Sequence, residues 1–219
     1  MKKTILILIL FTCCLSISGF SQKAQVGFCA GINSANQQRE HLGKNTHDES
    51  MIFPTYGLVI SSPIGKHFFF NPGVYYSKKG SQIEETFGNT VHKQTTILNY
   101  VEWMLNFNYR FGSGRSFWFV GAGPTISFLL PESRVEDKVG STLNTVDLKY
   151  GSNPSDDLKG MDFGANGIAG YQLGMGLFLA VNFTYGIRNL EPKANAPDKL
   201  RNQVWGIRLG WIVPNTKSK

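Results

Sequence analysis

Apolar and polar residues alternate with a two-residue period through much of the chain. Between Tyr100 and Phe111, the apolar set is Val101, Trp103, Leu105, Phe107, Tyr109 and Phe111. Glu102, Met104, Asn106, Asn108 and Arg110 stand between them. Successive side chains of a strand point to opposite faces, so this pattern predicts a strand with one greasy and one mostly polar face. Leu177 to Arg188 repeats it. Leu177, Leu179, Val181, Phe183, Tyr185 and Ile187 alternate with Phe178, Ala180, Asn182, Thr184, Gly186 and Arg188. Trp205 to Val213 repeats it again, with Gly206, Arg208, Gly210 and Ile212 on the second face. Extended to segments of weaker contrast, the pattern predicts eight strands, at about 24–34, 53–62, 67–79, 97–111, 117–130, 160–173, 177–190 and 201–213. Each is long enough for a tilted membrane crossing of roughly 9–11 residues.

The connections alternate too. Segments 63–66, 112–116 and 174–176 are short and rich in Gly, Pro or Ser, whereas 35–52, 80–96, 131–159 and 191–200 are long and polar. Short turns on one side and long loops on the other are the habit of membrane barrels. The expected fold is all-β, an eight-stranded antiparallel up-and-down transmembrane β-barrel. A soluble β-sandwich or barrel would show the same alternation with its apolar face inside. Two features favour the membrane. The polar faces hold many glycines and few Lys or Glu, and aromatics gather near strand ends (Trp103, Tyr109, Phe111, Trp118, Tyr185, Trp205, Trp211).

The N-terminus adds a destination. Lys2 and Lys3 precede an apolar run from Ile5 to Ile17, and the small residues Gly19 and Ser21 follow. This is the layout of a secretory signal peptide over 1–21, cut before Gln22, with a barrel domain over 22–219. The run is too short to span a bilayer as a helix, and no later segment offers 18 consecutive apolar residues. Cys13 and Cys14 suggest lipidation, but Thr12 and Cys13 are poor neighbours for a lipidated cysteine. The expected location is the cell outer membrane, with outer-membrane lipid as the first partner. Lys2 and Lys3 leave with the signal, so 20 of the 22 basic residues remain against 15 acidic ones, a net +5. No run of like charge stands out, so nucleic acid is not an expected partner. Only Cys29 remains in 22–219, which allows no disulfide within that segment.

Several short motifs carry a likeness. They are Gly27-Phe28-Cys29-Ala30-Gly31-Ile32-Asn33, Tyr75-Tyr76-Ser77-Lys78-Lys79-Gly80, Tyr100-Val101-Glu102 and Gly121-Ala122-Gly123-Pro124. To these are added Asp162-Phe163-Gly164 with Gly170-Tyr171, and Tyr185-Gly186-Ile187-Arg188-Asn189-Leu190. Through them the chain resembles the PorT-like outer-membrane β-barrel proteins of Bacteroidota. The resemblance spans nearly all of 22–219. It implies a porin-like barrel without a defined enzymatic role and, through the member that names the family, a link to type IX protein secretion. One departure is the C-terminus, where Pro214 to Lys219 follow Trp211-Ile212-Val213 in place of a terminal aromatic residue.

Chemistry is sparse. A barrel of eight strands is just wide enough to be filled by its own side chains, so a wide aqueous channel is not expected. The expected lumen polar network is Glu102, Arg110, Asp162, Asn166, Asn182, Arg188 and Arg208, with Asn106, Asn108 and Thr184 beside it. Buried charges must be paired, so both signs together suggest a plug; a proton or solute path is the functional alternative. If Leu173 opposes Leu177 across Gly174-Met175-Gly176, Asn166 opposes Thr184 and Asp162 opposes Arg188, which predicts an ion pair near the outer mouth. No catalytic residue is assigned. The four histidines are His67 at a short turn and His41, His47 and His92 in long loops. The cluster His47-Asp48-Glu49-Ser50 reads first as a solvated loop. Metal binding by His41, His47, Asp48 and Glu49 lacks a ligand spacing to support it. Gly121-Ala122-Gly123 lies within a strand with no helix behind it, so it is not a phosphate loop. No cofactor is expected. Function is expected in the outer loops, above all 131–159, as a surface for a protein partner or a surface glycan. The first reading is a non-enzymatic binding or scaffolding barrel. A barrel enzyme modifying outer-membrane lipid and a soluble periplasmic ligand-binding β-barrel are the alternatives.

Overall fold

Two-residue alternation over long segments favours strands, and the chain forms them almost throughout. A computed structural model describes residues 24–214 except 42–43, 88–89, 113, 141, 152, 154 and 193–198. The expected signal peptide lies outside the described residues. Eleven strands follow in order: β1 (Gln25–His41), β2 (Lys44–His47), β3 (Met51–Pro63), β4 (Phe68–Phe87), β5 (Thr90–Phe111), β6 (Phe117–Leu129), β7 (Arg134–Val139), β8 (Thr142–Asp147), β9 (Met161–Gln172), β10 (Leu177–Gly186) and β11 (Lys199–Ile212).

Eight of them close a ring in the order β1, β3, β4, β5, β6, β9, β10, β11, with β11 returning to β1. Every neighbouring pair is antiparallel. The seam sets Phe28 opposite Trp211 and Ile32 opposite Ile207. Closure matters in lipid because an open edge would strand backbone N–H and C=O groups away from water.

The ring decides which face looks out. Phe28, Leu58, Trp118, Val181, Trp205 and Leu209 are exposed on the outer wall, whereas Asn33, Ser77, Glu102, Asn106, Asp162 and Arg208 are buried inside. A soluble barrel would have the reverse arrangement. Aromatic pairs gather near the short turns: Phe68 with Tyr109 at 5.1 Å, Trp118 with Tyr171 at 4.8 Å and Phe28 with Trp211 at 6.0 Å between centroids. This is a girdle of the kind that sits at a membrane interface. The short turns are tight. Leu173 and Leu177 bracket a three-residue turn in which Gly176 has φ of +95°, a conformation that L side chains rarely adopt.

The lumen is layered. Towards the short turns lies an apolar cluster of Cys29, Val59, Tyr75, Met104, Phe119, Phe178, Ala180 and Ile212. A second cluster of Leu98, Tyr100, Leu129, Leu158, Leu190 and Leu200 lies towards the long connections. Leu158 and Leu190 come from the connections themselves, so chain outside the barrel strands folds over that mouth. Polar side chains fill the space between the two clusters.

Much of three expected loops is strand instead; within 35–52, β1 runs on to His41 along β11, and β2 pairs back on it. Segment 80–96 continues β4 and β5 beyond the ring, with Lys79 opposite Leu98 and Phe87 opposite Thr90. Within 131–159 lies the β7–β8 hairpin. Along the edge of β5, β6 pairs with Tyr100 to Phe111, and β7 takes over from His92 to Ile97. The result is a sheet of β4, β5, β7 and β8 standing above the barrel. Its outer residues, such as Glu84 to Thr86, do not alternate in hydropathy because both faces of a protruding sheet meet water there.

Candidate functional site

Strand parity builds the centre of the lumen. On β4, Tyr75, Ser77 and Lys79 share the inner face, and all three are buried. Lys79 Nζ donates to Glu102 Oε1 at 2.6 Å and to Ser127 Oγ at 3.2 Å, and lies 4.0 Å from Asp162 Oδ2. Ser127 Oγ donates to the same Glu102 oxygen at 2.9 Å. Asn202 Nδ2 donates to Asp162 Oδ2 at 2.9 Å, and Gln37 Nε2 donates to Asn202 Oδ1 at 3.3 Å. One ammonium therefore holds two carboxylates in a buried interior, where charges must be paired to be tolerated.

An amide cluster lies beside this core. Asn166 Nδ2 donates to Asn106 Oδ1 at 2.9 Å, while Thr184 Oγ1 and Asn182 Nδ2 donate to Asn166 Oδ1 at 3.0 and 3.4 Å. Gly206 faces these groups, and a Cβ there would fall on the Asn182 and Asn33 side-chain oxygens. A residue of any size at 206 would push the amides apart.

The two remaining arginines of the lumen sit lower. Arg208 is 1% exposed; its Nη1 points at Met104 Sδ at 3.1 Å, and its Cζ lies 4.2 Å from the Tyr75 ring centroid. Arg110 donates from Nη2 to Ser61 Oγ at 2.7 Å and lies between the rings of Phe69 and Phe117, at 3.2 and 4.3 Å from Cζ to the centroids. Arginine suits such positions because its planar guanidinium stacks on aromatic faces.

Glu102, Asp162, Asn166, Asn182 and Arg208 of the expected network are buried together, and Arg110 is partly buried at the short-turn end. Asn166 does oppose Thr184. The Asp162–Arg188 pair is corrected. The ladder ends at Gly186 opposite Gly164, and both the Ile187 and Arg188 amides turn to the Phe163 carbonyl. This bulge-like break lets the Arg188 guanidinium lie over Phe163, a residue exposed on the outer wall, at 5.5 Å, while its Nη1 donates to the Met161 carbonyl. Lys79 takes the place at Asp162 foreseen for Arg188. Its signal was present, since it shares parity with Tyr75 and Ser77.

At the other end, β8 is exposed along its whole length and pairs only with β7 among the described residues. His92 Nε2 pairs with Asp137 Oδ1 and ties β5 to β7. His67 stacks on Tyr109 with 5.6 Å between centroids. Among the described residues no group of three or more His, Cys, Asp or Glu is placed to hold a metal. The side chains of His41 and His47 lie outside the described residues. Asp48 is engaged by Arg39 at 3.1 Å and Ser81 at 2.7 Å, and Glu49 accepts from Gln82 at 2.9 Å. These carboxylates join the first long connection to the protruding sheet.

Residues 20–191 match the family model described as outer membrane protein beta-barrel domain. No curated protein matches the chain. Among solved structures, the chain is similar to Ail, the attachment invasion locus protein of Yersinia pestis, at 8% identity and a TM-score of 0.40, covering 87% of this chain and 99% of that one. It is also similar to OprG from Pseudomonas aeruginosa, at 9% identity, TM-score 0.39 and coverage of 88% and 95%. Neisserial surface protein A gives 12% identity, TM-score 0.38 and coverage of 84% and 96%.

Proposed function

Since the chain belongs to the outer membrane protein beta-barrel domain family, we propose that it is a non-enzymatic surface barrel that offers its protruding sheet to an extended protein segment outside the cell. Short turns of such barrels face the periplasm and long connections face out, which directs the sheet of β4, β5, β7 and β8 away from the cell. The observation that carries the reading is the outer edge of β8, which no other strand pairs among the described residues. Exposed edges invite pairing, and natural proteins usually blunt them with Lys, Pro or a bulge. Thr142-Leu143-Asn144-Thr145-Val146-Asp147 contains neither Lys nor Pro, and its ladder with β7 is unbroken. A partner strand can add there, with backbone hydrogen bonds supplying affinity and Leu143 and Val146 supplying apolar contact. The layered lumen acts as a rigid plug beneath that platform.

Photocrosslinking from Thr145 on living cells tests this. The reading expects a discrete adduct that a proline scan of 142–147 abolishes while the barrel stays folded. Absence of adducts, or adducts indifferent to every proline, would sink it. The PorT-like motifs support a finer reading, in which the partner belongs to protein export. Deleting the gene and measuring secreted protein decides that point, because an unchanged secretome removes the export role.

A further inference from the structure

A buried guanidinium stays charged and needs an anionic or strongly polar partner. Among the described residues Arg208 has neither at two of its three nitrogens: Nε and Nη2 are buried without a hydrogen-bond acceptor. It lines a cavity of about 40 Å³, together with Arg110, Asn71, Asn106, Tyr75 and Gln172. No carboxylate lines that space; the unpaired acceptors there, among the described residues, are the neutral amide oxygens of Asn71 and Asn108, which carry no charge to offset the guanidiniums. Glu102 lies within electrostatic reach of Arg208, but Glu102 and Asp162 are both engaged by Lys79 and neither hydrogen-bonds Arg208. The lumen is thus divided. Around Lys79 one positive charge meets two negative ones, a local charge of −1. Around the cavity Arg110 and Arg208 bring +2, and the sum for the interior is +1.

We propose that this cavity binds one small monovalent anion of halide size, held by Arg208 from within and by Arg110 from the short-turn side. A single negative charge there brings the interior to neutrality and supplies the acceptor that Arg208 lacks. The size fits, since one water needs roughly 10–15 Å³ of such space. A halide with one or two waters fills the cavity, whereas an organic anion such as gluconate is too large. The apolar lining of Phe117, Phe119 and Phe178 suits a weakly hydrated anion and strengthens its attraction to the guanidiniums.

Bromide is the probe. Thermal unfolding of the full chain in detergent is followed while bromide replaces gluconate at constant ionic strength. A ligand that binds only the folded state raises the midpoint saturably, so a saturable rise is expected for the wild type. Arg110→Gln, which leaves Arg208 in place, should weaken the apparent affinity about tenfold, the loss of one charge-assisted contact. Arg208→Met should abolish the dependence; should that variant fail to fold, the Arg110→Gln titration stands by itself. Crystals grown in bromide should show an anomalous peak beside the Arg208 guanidinium. A midpoint that moves equally in bromide and gluconate overturns the proposal. So does a cavity that holds only water in those crystals.

Discussion

Lys79 is the residue on which the interior turns. It is 2% exposed and holds Glu102 and Asp162 together. Lys79→Met would leave both carboxylates buried without the ammonium they share, and should cost about 3–5 kcal/mol of stability. Adding Glu102→Gln to that variant should recover part of the loss, because one uncompensated charge goes with it. Urea unfolding in lipid vesicles measures both, and equal losses for the single and double variants would remove Lys79 from this role. Arg188→Ala should cost less than about 1 kcal/mol, since the residue is only half-buried and its hydrogen bond is to a backbone carbonyl. Much of the lumen was legible because parity is strict within an unbroken strand: Glu102, Asp162, Asn166, Asn182 and Arg208 each follow from it, and so would Lys79. Arg188 was not legible. The ladder breaks after Gly186, where the Ile187 and Arg188 amides share the Phe163 carbonyl, and no hydropathy signal marks that step.

At the scale of the element, lipid writes the pattern. A membrane strand exposes its apolar face over its whole length, so β5, β10 and β11 were readable to within a few residues where they cross. Replacing Val181 or Leu105 with Arg should destabilise by about 2–4 kcal/mol if the site lies near the midplane. The same urea titration checks this, and a neutral effect at both sites would place them outside the hydrocarbon. The upper halves of β4 and β5, with β7 and β8, were hidden. Water on both faces removes the alternation, and what holds these strands is the backbone ladder with cross-strand ties such as His92 to Asp137. The closed ring does not depend on β7 or β8. Deletion of 134–147 should therefore leave the heat-dependent gel shift of the folded barrel unchanged. Loss of that shift would show that the hairpin helps to hold the ring.

The whole molecule is oriented by its connections. The protein should fractionate with outer membranes, and trypsin added to intact cells should cut at the exposed Lys149 beyond β8 while sparing both termini. Recovery from a soluble periplasmic extract, or a C-terminal tag reachable from outside, would contradict this arrangement. The seam between β1 and β11 has a consequence in time. The two strands that complete the ring are the first and the last of the chain's strands to be made. Until β11 arrives, β1 and β10 each present an open row of amides and carbonyls, and no local packing can relieve that. Such distant pairings are slow to form. Assembly is thus governed by how long the nascent sheet can be kept from lipid and from its neighbours. Changes along the seam, such as at Gly31 beneath the Ile207 carbonyl, should show first as delayed biogenesis in the cell, before they show as a weaker finished barrel.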